Sequence, residues 1–374
     1  MVKKIRVTCV VGTRPEAIKM APLVLALKEA SAFEVRVLAS GQHEDMLIQA
    51  LSHFGVEPDA NLRIMKDRQT LEHITSSVLE GIGSFLDKNP QDILLVHGDT
   101  TTTLAASLAG FYRKIPVGHV EAGLRSHTLN SPFPEEANRV LADRLASLHF
   151  APTKLAAENL RREGIDERGI FVTGNTVIDA LFWTLGRMSE MDNLCGIPSG
   201  APFILMTTHR RESWGKPLLD ICAAVRGLLD RHPELRLLVP LHKNPMVRNT
   251  VMKELGRRAN VIFTEPLDYP VFVAAMNRSL FILSDSGGVQ EEATALKKPV
   301  LILRELSERP EVLDAGTGVL VGTDRQRIEK EALRILEDEA YRGSLAGRGD
   351  QCPFGDGNAS ARILHAVEDY FKGR

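Results

Sequence analysis

Cysteine is scarce in this sequence, with four in 374 residues, at Cys9, Cys195, Cys222 and Cys352. None forms a CxxC pair, and no Cys/His cluster has zinc-ligand spacing. Cys9 in an apolar run and Cys222 in a helical one read as small buried hydrophobes. Such usage fits a reducing cytoplasm, which is the expected location. Excess charge of either sign is also missing: 46 basic against 48 acidic residues leave a net charge of -2. The basic residues are dispersed, and the pairs Arg161-Arg162 and Arg257-Arg258 read as solvated helix surface, so no nucleic-acid partner is expected. No run approaches the roughly 18 apolar residues of a membrane span. The amino-terminal apolar stretch stops at Gly12-Thr13-Arg14-Pro15 and reads as a first buried strand rather than a secretion signal. No membrane partner is expected.

The fingerprints of common cofactors and hydrolases are missing too. There is no GxGxxG and no GxxxxGK[ST], so neither a dinucleotide nor an ATP site has motif support. His119-Val-Glu121 lacks the PCxxC of zinc deaminases. His43-Glu44 lacks the second His of HExxH, and no GxSxG elbow occurs. The expectation is an enzyme without cofactor or metal, or a binding protein.

What is present is a steady alternation of short apolar runs with helical patterns. Strand runs fall at Ile5–Val11, Glu34–Ala39, Ile93–Val96, Val117–Val120, Leu148–Ala151 and Ile170–Val172. The second half repeats the plan with Phe203–Thr207, Leu235–Pro240, Val261–Phe263, Leu280–Leu283 and Val300–Leu303. Continuous apolar strands separated by helices predict parallel sheets covered on both faces. The fold class is therefore α/β, with two Rossmann-like doubly wound domains and a cleft between them, where ligands favour binding. Loop-rich sequence near Asn193–Pro202 sets the domains at 1–193 and 194–357. A last helix within 358–374, after a Gly/Pro-rich loop, is expected to cross back onto the first domain.

Three acidic residues sit just past expected strand ends or at a helix start: Asp99 in His97-Gly-Asp-Thr-Thr, Glu121 in His119-Val-Glu-Ala-Gly-Leu-Arg, and Glu135 in Pro132-Phe-Pro-Glu-Glu. Open α/β sheets bind ligands outside the carboxyl ends of their strands. Carboxylates gathered there can move protons at a substrate.

Two segments look suited to anions. Gly12-Thr-Arg-Pro-Glu-Ala-Ile-Lys19 places a helix N-terminus beside Arg14 and Lys19. Its alternative reading is an ordinary strand–helix turn. Ser284-Asp-Ser-Gly-Gly-Val-Gln-Glu-Glu292 offers the Ser286 hydroxyl and approachable amides at Gly287 and Gly288, a geometry that suits a diphosphate. Glu292, one turn on, is either a ribose acceptor or a helix-dipole acid. His209, in Thr207-Thr-His-Arg-Arg, ends a strand and is expected to face the cleft. Arg309 is a candidate phosphate clamp.

Taken together, Gly12-Thr-Arg-Pro-Glu-Ala-Ile-Lys, His97-Gly-Asp-Thr, His119-Val-Glu-Ala-Gly-Leu-Arg, Pro134-Glu-Glu-Ala-Asn-Arg, Thr208-His-Arg-Arg-Glu and Asp285-Ser-Gly-Gly-Val-Gln-Glu-Glu resemble the bacterial non-hydrolysing UDP-N-acetylglucosamine 2-epimerases over nearly the whole chain. The resemblance implies the two-domain glycosyltransferase-B type of fold, a homodimer, and a UDP-sugar substrate. It implies anti elimination of UDP from UDP-N-acetylglucosamine, leaving 2-acetamidoglucal, then re-addition to give UDP-N-acetylmannosamine. It assigns acid/base work to Asp99, Glu121 and Glu135, with His209 assisting departure of UDP. It assigns substrate contacts to Arg14, Lys19, Phe272, Ser286, Gly287, Gly288, Glu292 and Arg309. Phe272 matches a uracil-packing position, and Leu267 stands where relatives often have Gln. A second, activating UDP-sugar site is implied at Gln42, Arg68, Glu136, Arg210 and His242, although Asp45 departs from a Gln often seen there. Sibling readings are a hydrolysing 2-epimerase and a 2-epimerase of a UDP-diacetamido sugar. A glycosyltransferase or a non-catalytic UDP-sugar binder of the same fold is more remote.

Overall fold

In the computed structural model the chain divides into two compact units, residues 1–183 with 354–374, and residues 184–353. The sequence reading placed the divisions after residues 193 and 357, further along the chain in both cases. The structure describes residues 3–41, 44–66, 69–189, 192–208, 210, 213–256, 258–307, 309–347 and 352–373, with residue 44 described by its backbone only.

The first unit is built on seven strands, β1 (Ile5–Val11), β2 (Phe33–Ala39), β3 (Ala60–Asn61), β4 (Ile93–His97), β5 (Val117–Val120), β6 (Leu148–Ala151) and β7 (Ile170–Val172). They pair in parallel in the order β3-β2-β1-β4-β5-β6-β7. The sheet reverses direction of growth between β1 and β4, and that switch point is where doubly wound sheets take ligands. β1 and β4 owe their central place to near-continuous apolar sequence, and Val7, Cys9, Val11 and Ile93 to Val96 are fully buried. Helices α1 (Arg14–Glu29), α2 (Glu44–His53), α3 (Leu71–Lys88), α4 (Thr101–Tyr112), α5 (Glu135–Leu145), α6 (Lys154–Arg162) and α7 (Thr176–Leu185) connect the strands. Thr70, Thr100 and Thr153 each cap a helix by accepting the backbone N–H three residues on, satisfying an amide the helix itself leaves orphaned. Cys9 and Cys222 are buried, and burial pushes both thiols up to about 12, so neither is a nucleophile at neutral pH.

The second unit opens with a short antiparallel hairpin, β8 (Asn193–Leu194) and β9 (Ile197–Pro198). Its sheet contains β10 (Phe203–Thr207), β11 (Arg236–Pro240), β12 (Val261–Thr264), β13 (Ile282–Ser284), β14 (Val300–Ile302) and β15 (Gly318–Leu320), all parallel in the order β12-β11-β10-β13-β14-β15. The switch point here lies between β10 and β13. Helices α8 (Lys216–Arg231), α9 (Pro245–Leu255), α10 (Tyr269–Arg278), α11 (Gly287–Ala295), α12 (Pro310–Asp314), α13 (Arg325–Glu337) and α14 (Glu339–Ser344) complete it. Its core packs Ile204, Met206, Ile221, Leu237, Phe281, Leu283, Leu301 and Ile328 into one buried cluster.

The last helix, α15 (Ala359–Lys372), belongs to the first unit. The Asp179 carboxylate on α7 accepts its first free amides, from Ala359 at 3.2 Å and Ser360 at 2.8 Å. That carboxylate serves as the helix N-cap from a distant part of the sequence. Among the described residues no helix is long and apolar enough to cross a membrane, and no group of His, Cys, Asp and Glu is arranged to hold a metal ion.

Candidate active site

The first switch point is formed by the β1–α1 and β4–α4 turns, and Glu16 joins them. Its Oε2 accepts the backbone N–H groups of Gly12 at 2.6 Å and Thr13 at 2.7 Å. Its Oε1 accepts the hydroxyls of Thr100 at 2.5 Å and Thr103 at 3.3 Å. Burial pushes this carboxyl up, and the hydroxyl and amide donors pull it back. Gly12 is required here: a Cβ would lie 2.4 Å from the Thr102 hydroxyl. The amides of Gly12 and Thr13, just before the helix start expected to hold an anion beside Arg14 and Lys19, are thus taken by the chain's own carboxylate. Arg14 opens α1 half-buried, whereas the Lys19 ammonium, a turn further on, pairs with Glu121.

Glu121 follows β5 in a left-handed conformation, with φ of 67°. A non-glycine residue held there stores strain, which tends to collect at functional sites. Two amides, from Glu121 and Ala122, donate to the Phe150 carbonyl at 3.1 and 3.2 Å and fix the turn. The carboxylate is 8% exposed and accepts from Lys19 and, at 2.7 Å, from Asn175 Nδ2. His97 Nε2 stands 3.9 Å from the same oxygen. Burial pushes the His97 imidazole down to about 3, with Glu121 opposing and Lys19 and His119 adding to the fall, so it is neutral.

Asp99 lies two residues past the end of β4 and is more open, with its side chain 29% exposed. Its carboxylate pairs with Arg139, and its carbonyl accepts from Asn138 Nδ2 at 2.9 Å. Both partners come from α5, the helix that Glu135 opens. Asp99 and Glu135 are thus tied to one element. Among the described residues no hydrogen bond or ion pair engages the half-buried Glu135 carboxylate. Glu136 differs from its neighbour. It is 1% exposed and accepts the N–H groups of Ser126 and His127 at 3.0 Å while pairing with Arg139 at 3.1 Å. Its contacts hold the 126–127 loop and orient Arg139 toward Asp99, so a ligand would have to displace them. His209, Gln42 and Arg68 lie outside the described residues.

Beneath these carboxylates is a network that motif reading missed. His119 Nδ1 is 2.6 Å from Asp143 Oδ1, and its Nε2 is 2.7 Å from the Gly98 carbonyl. With an acceptor at each nitrogen, the ring is a doubly protonated imidazolium donating both ways. Burial opposes that charge, and Asp143 overcomes it, so His119 is raised above its usual value. Asp143 Oδ2 also accepts from Arg125 at 2.7 Å, and Arg125 continues to Glu163. The network grips the Gly98–Asp99 turn from below. In the sequence only the His119-Val-Glu121 spacing, which resembles part of a metal motif, hints at it.

In the second unit the β10 and β13 turns are joined by Asp285, which accepts the Arg210 amide and the Ser213 hydroxyl, each at 3.0 Å. Ser286 stands at the N-cap position of α11 without a side-chain capping bond, and Gly287 and Gly288 begin its first turn. A Cβ at Gly288 would meet nothing within 4 Å, and one at Gly287 would lie 3.3 Å from the Arg309 guanidinium. The structure therefore brings Arg309 and the glycine amides together. Glu291 holds Arg309 through Nε at 2.6 Å. Glu292, 5% exposed, accepts the Tyr269 hydroxyl at 2.8 Å, a partner that sequence reading did not foresee. Burial and that carboxylate hold the Tyr269 phenol well above its usual range. Phe272 lies half-buried in the same first turn of α10. His242 sits after β11, where Nδ1 accepts the Asn244 amide at 3.0 Å.

Comparison with known proteins gives a consistent result. The sequence model of a family described as UDP-N-acetylglucosamine 2-epimerase matches residues 25–368. The UDP-N-acetylglucosamine 2-epimerase of Escherichia coli K12 is 48% identical over 372 residues, covering 97% of this chain and 98% of its own. That of Yersinia pestis is 49% identical over 374 residues, covering 98% and 99%. A crystal structure of UDP-GlcNAc 2-epimerase from Neisseria meningitidis bound to UDP-GlcNAc superposes with a TM-score of 0.93 at 44% identity, covering 98% of this chain and all of the other.

Proposed function

The chain belongs to the UDP-N-acetylglucosamine 2-epimerase family of isomerases, and on that premise we propose that it interconverts UDP-N-acetylglucosamine and UDP-N-acetylmannosamine by anti elimination of UDP and re-addition through 2-acetamidoglucal. The observation that carries this reading is Glu121, a buried carboxylate in a strained left-handed turn, held by Lys19 and Asn175. Carbon-2 is not acidic, so cleavage of the glycosidic C–O bond runs ahead of deprotonation and negative charge grows on the departing diphosphate. Donors that meet that charge in place supply the largest catalytic effect. The Gly287 and Gly288 amides and Arg309 are suited to it, as are Arg14 and His209, whereas the Ser286 amide already donates to the Ser284 hydroxyl at 3.1 Å. Epimerisation moves protons at both faces of carbon-2, which one carboxylate cannot easily serve; Asp99, Glu121 and Glu135 supply a set. Phe272 packs on the uracil and Glu292, steadied by Tyr269, accepts from the ribose.

Proton NMR of UDP-N-acetylglucosamine with the enzyme in D2O, with no cofactor added, tests the reaction. UDP-N-acetylmannosamine carrying deuterium at carbon-2, with label returning into the starting sugar, is the expected product. Free N-acetylmannosamine would instead identify a hydrolysing enzyme, and an unchanged spectrum would reject this substrate.

The resemblance further supports a cytoplasmic homodimer with a second, activating UDP-sugar site that includes Arg210 and His242. The rate in the forward direction is then expected to be sigmoidal in substrate, and the reverse reaction to require a trace of UDP-N-acetylglucosamine. A hyperbolic forward curve with no such requirement would remove the second site.

A further inference from the structure

We infer that His97 is a positioning residue for this reaction, accepting a hydrogen bond from Glu121 once that carboxyl carries the proton taken from carbon-2 of the sugar. The inference rests on the reading of Glu121 as an acid/base group. His97 closes β4 and is 3% exposed, yet neither ring nitrogen has a hydrogen-bond partner among the described residues. Buried polar groups are nearly always paired, and an exception calls for an explanation. The Nε2 to Oε2 distance of 3.9 Å is too long for a hydrogen bond, although a small side-chain rotation would close it. An N–H aimed at a buried carboxylate makes a strong charge-assisted bond and would draw the two together. Two lone pairs facing one another hold apart. The gap therefore points to a neutral ring whose Nε2 carries the lone pair.

The rest of the pocket divides the labour. Lys19 from α1 and Asn175 from the loop before α7 both donate to Glu121. Asn175 Oδ1 is turned away, accepting the Val177 amide at 3.1 Å. Both groups favour the carboxylate, and neither offers an acceptor to the acid. The titratable groups facing His97 are Glu121, Lys19 and His119; of these the last two are cations. His97 is thus the group placed to receive the proton-bearing oxygen. In the elimination, the carbon-2 proton passes to Glu121 and the C–H electron pair forms the double bond to carbon-1. The C–O bond to UDP breaks, and UDP leaves with its electron pair. Glu121 becomes neutral, and its O–H turns to Nε2 while the ring itself keeps its charge state. Re-addition runs the same exchange backwards. A group that is base in one direction and acid in the other thereby has a partner for each form.

The test is the pH dependence of carbon-2 hydrogen exchange in D2O, followed by NMR on the full chain with UDP-N-acetylglucosamine. It compares wild type with His97→Leu, His97→Gln and Glu121→Gln, each checked for folding by circular dichroism. Leu fills the space without an acceptor, whereas Gln returns a carbonyl oxygen close to the position of Nε2. Without the acceptor the acid form is less stable, so the limb set by Glu121 moves to lower pH in His97→Leu. The kcat then falls by about tenfold, roughly one hydrogen bond, with KM held; His97→Gln restores both. A folded His97→Leu protein whose limb stays in place overturns the inference. So does a His97→Gln protein in which the limb is displaced. The ring itself gives a readout that needs no variant to fold: nitrogen-15 NMR of labelled wild type is expected to show Nε2 unprotonated, and a protonated Nε2 overturns it. Exchange at the wild-type rate in Glu121→Gln is a separate failure, because it removes the acid/base reading beneath the inference.

Discussion

Glu121→Gln is expected to lower kcat by about a hundredfold to ten-thousandfold, the range in which a positioned general acid or base works. Gln keeps the volume and can still accept from Asn175, but it cannot take a proton. It also leaves the Lys19 ammonium, 13% exposed, without its counterion. Carbon-2 exchange in D2O should fall with kcat. KM should move little, since the contacts proposed for uridine come from the second unit and Glu121 is not among those proposed for the diphosphate. That split separates proton transfer from binding, because loss of uniform binding raises KM and leaves kcat alone. Thermal unfolding of the variant checks that Lys19 has not unfolded the site. A variant that exchanges at the wild-type rate would hand the proton to Asp99 or Glu135. It would also leave the strained turn at Glu121 without a chemical reason.

How much of this was legible in the sequence follows from which interactions are local. The two parallel sheets were readable because their strands are continuous apolar runs punctuated by Gly, Pro and Thr. Short elements such as β3 and β15, which pair only two or three residues, carry no pattern of their own and depend on the neighbouring strand. Asp99 and Glu121 stood out because each follows a strand end. Their partners did not, since Arg139 and Asn175 reach them from segments 40 and 54 positions away. Glu16 lies in the Gly12–Lys19 motif, but its role there is not legible from spacing. A capping-box acid and a loop staple look the same in sequence, and only the Thr100 and Thr103 contacts tell them apart. The Gly12 and Thr13 amides are occupied for that reason. In the second unit the glycine turn and Arg309 do converge, yet Tyr269 beside Glu292 could not be paired from spacing alone.

Asp143→Asn is expected to destabilise the first unit by about 3–5 kcal/mol, the cost of breaking a buried ion pair from one side. Asn keeps the shape but leaves His119 without the carboxylate that keeps it protonated and the Arg125 guanidinium without its buried counterion, both side chains being 1% exposed or less. The pH dependence has a definite sign. Asp143 is held down to about 2, against burial, chiefly by His119. Its contribution is therefore present above the ordinary carboxyl value of 3.8 and is lost only as pH falls through about 2. His119 is raised from 6.5, so its contribution is complete below that value and is lost as pH rises through the higher folded value. Wild type should consequently lose stability on the alkaline side as pH rises above 6.5, and the variant should not, because without Asp143 burial keeps His119 neutral. The two tryptophans, one in each unit, make this measurable. With Trp214 replaced by Phe, urea unfolding followed by fluorescence reports Trp183 and the first unit alone. A variant within about 1 kcal/mol of wild type at about pH 6, or one that keeps the alkaline slope, would show that the His119–Asp143 pair does not hold the Gly98–Asp99 turn.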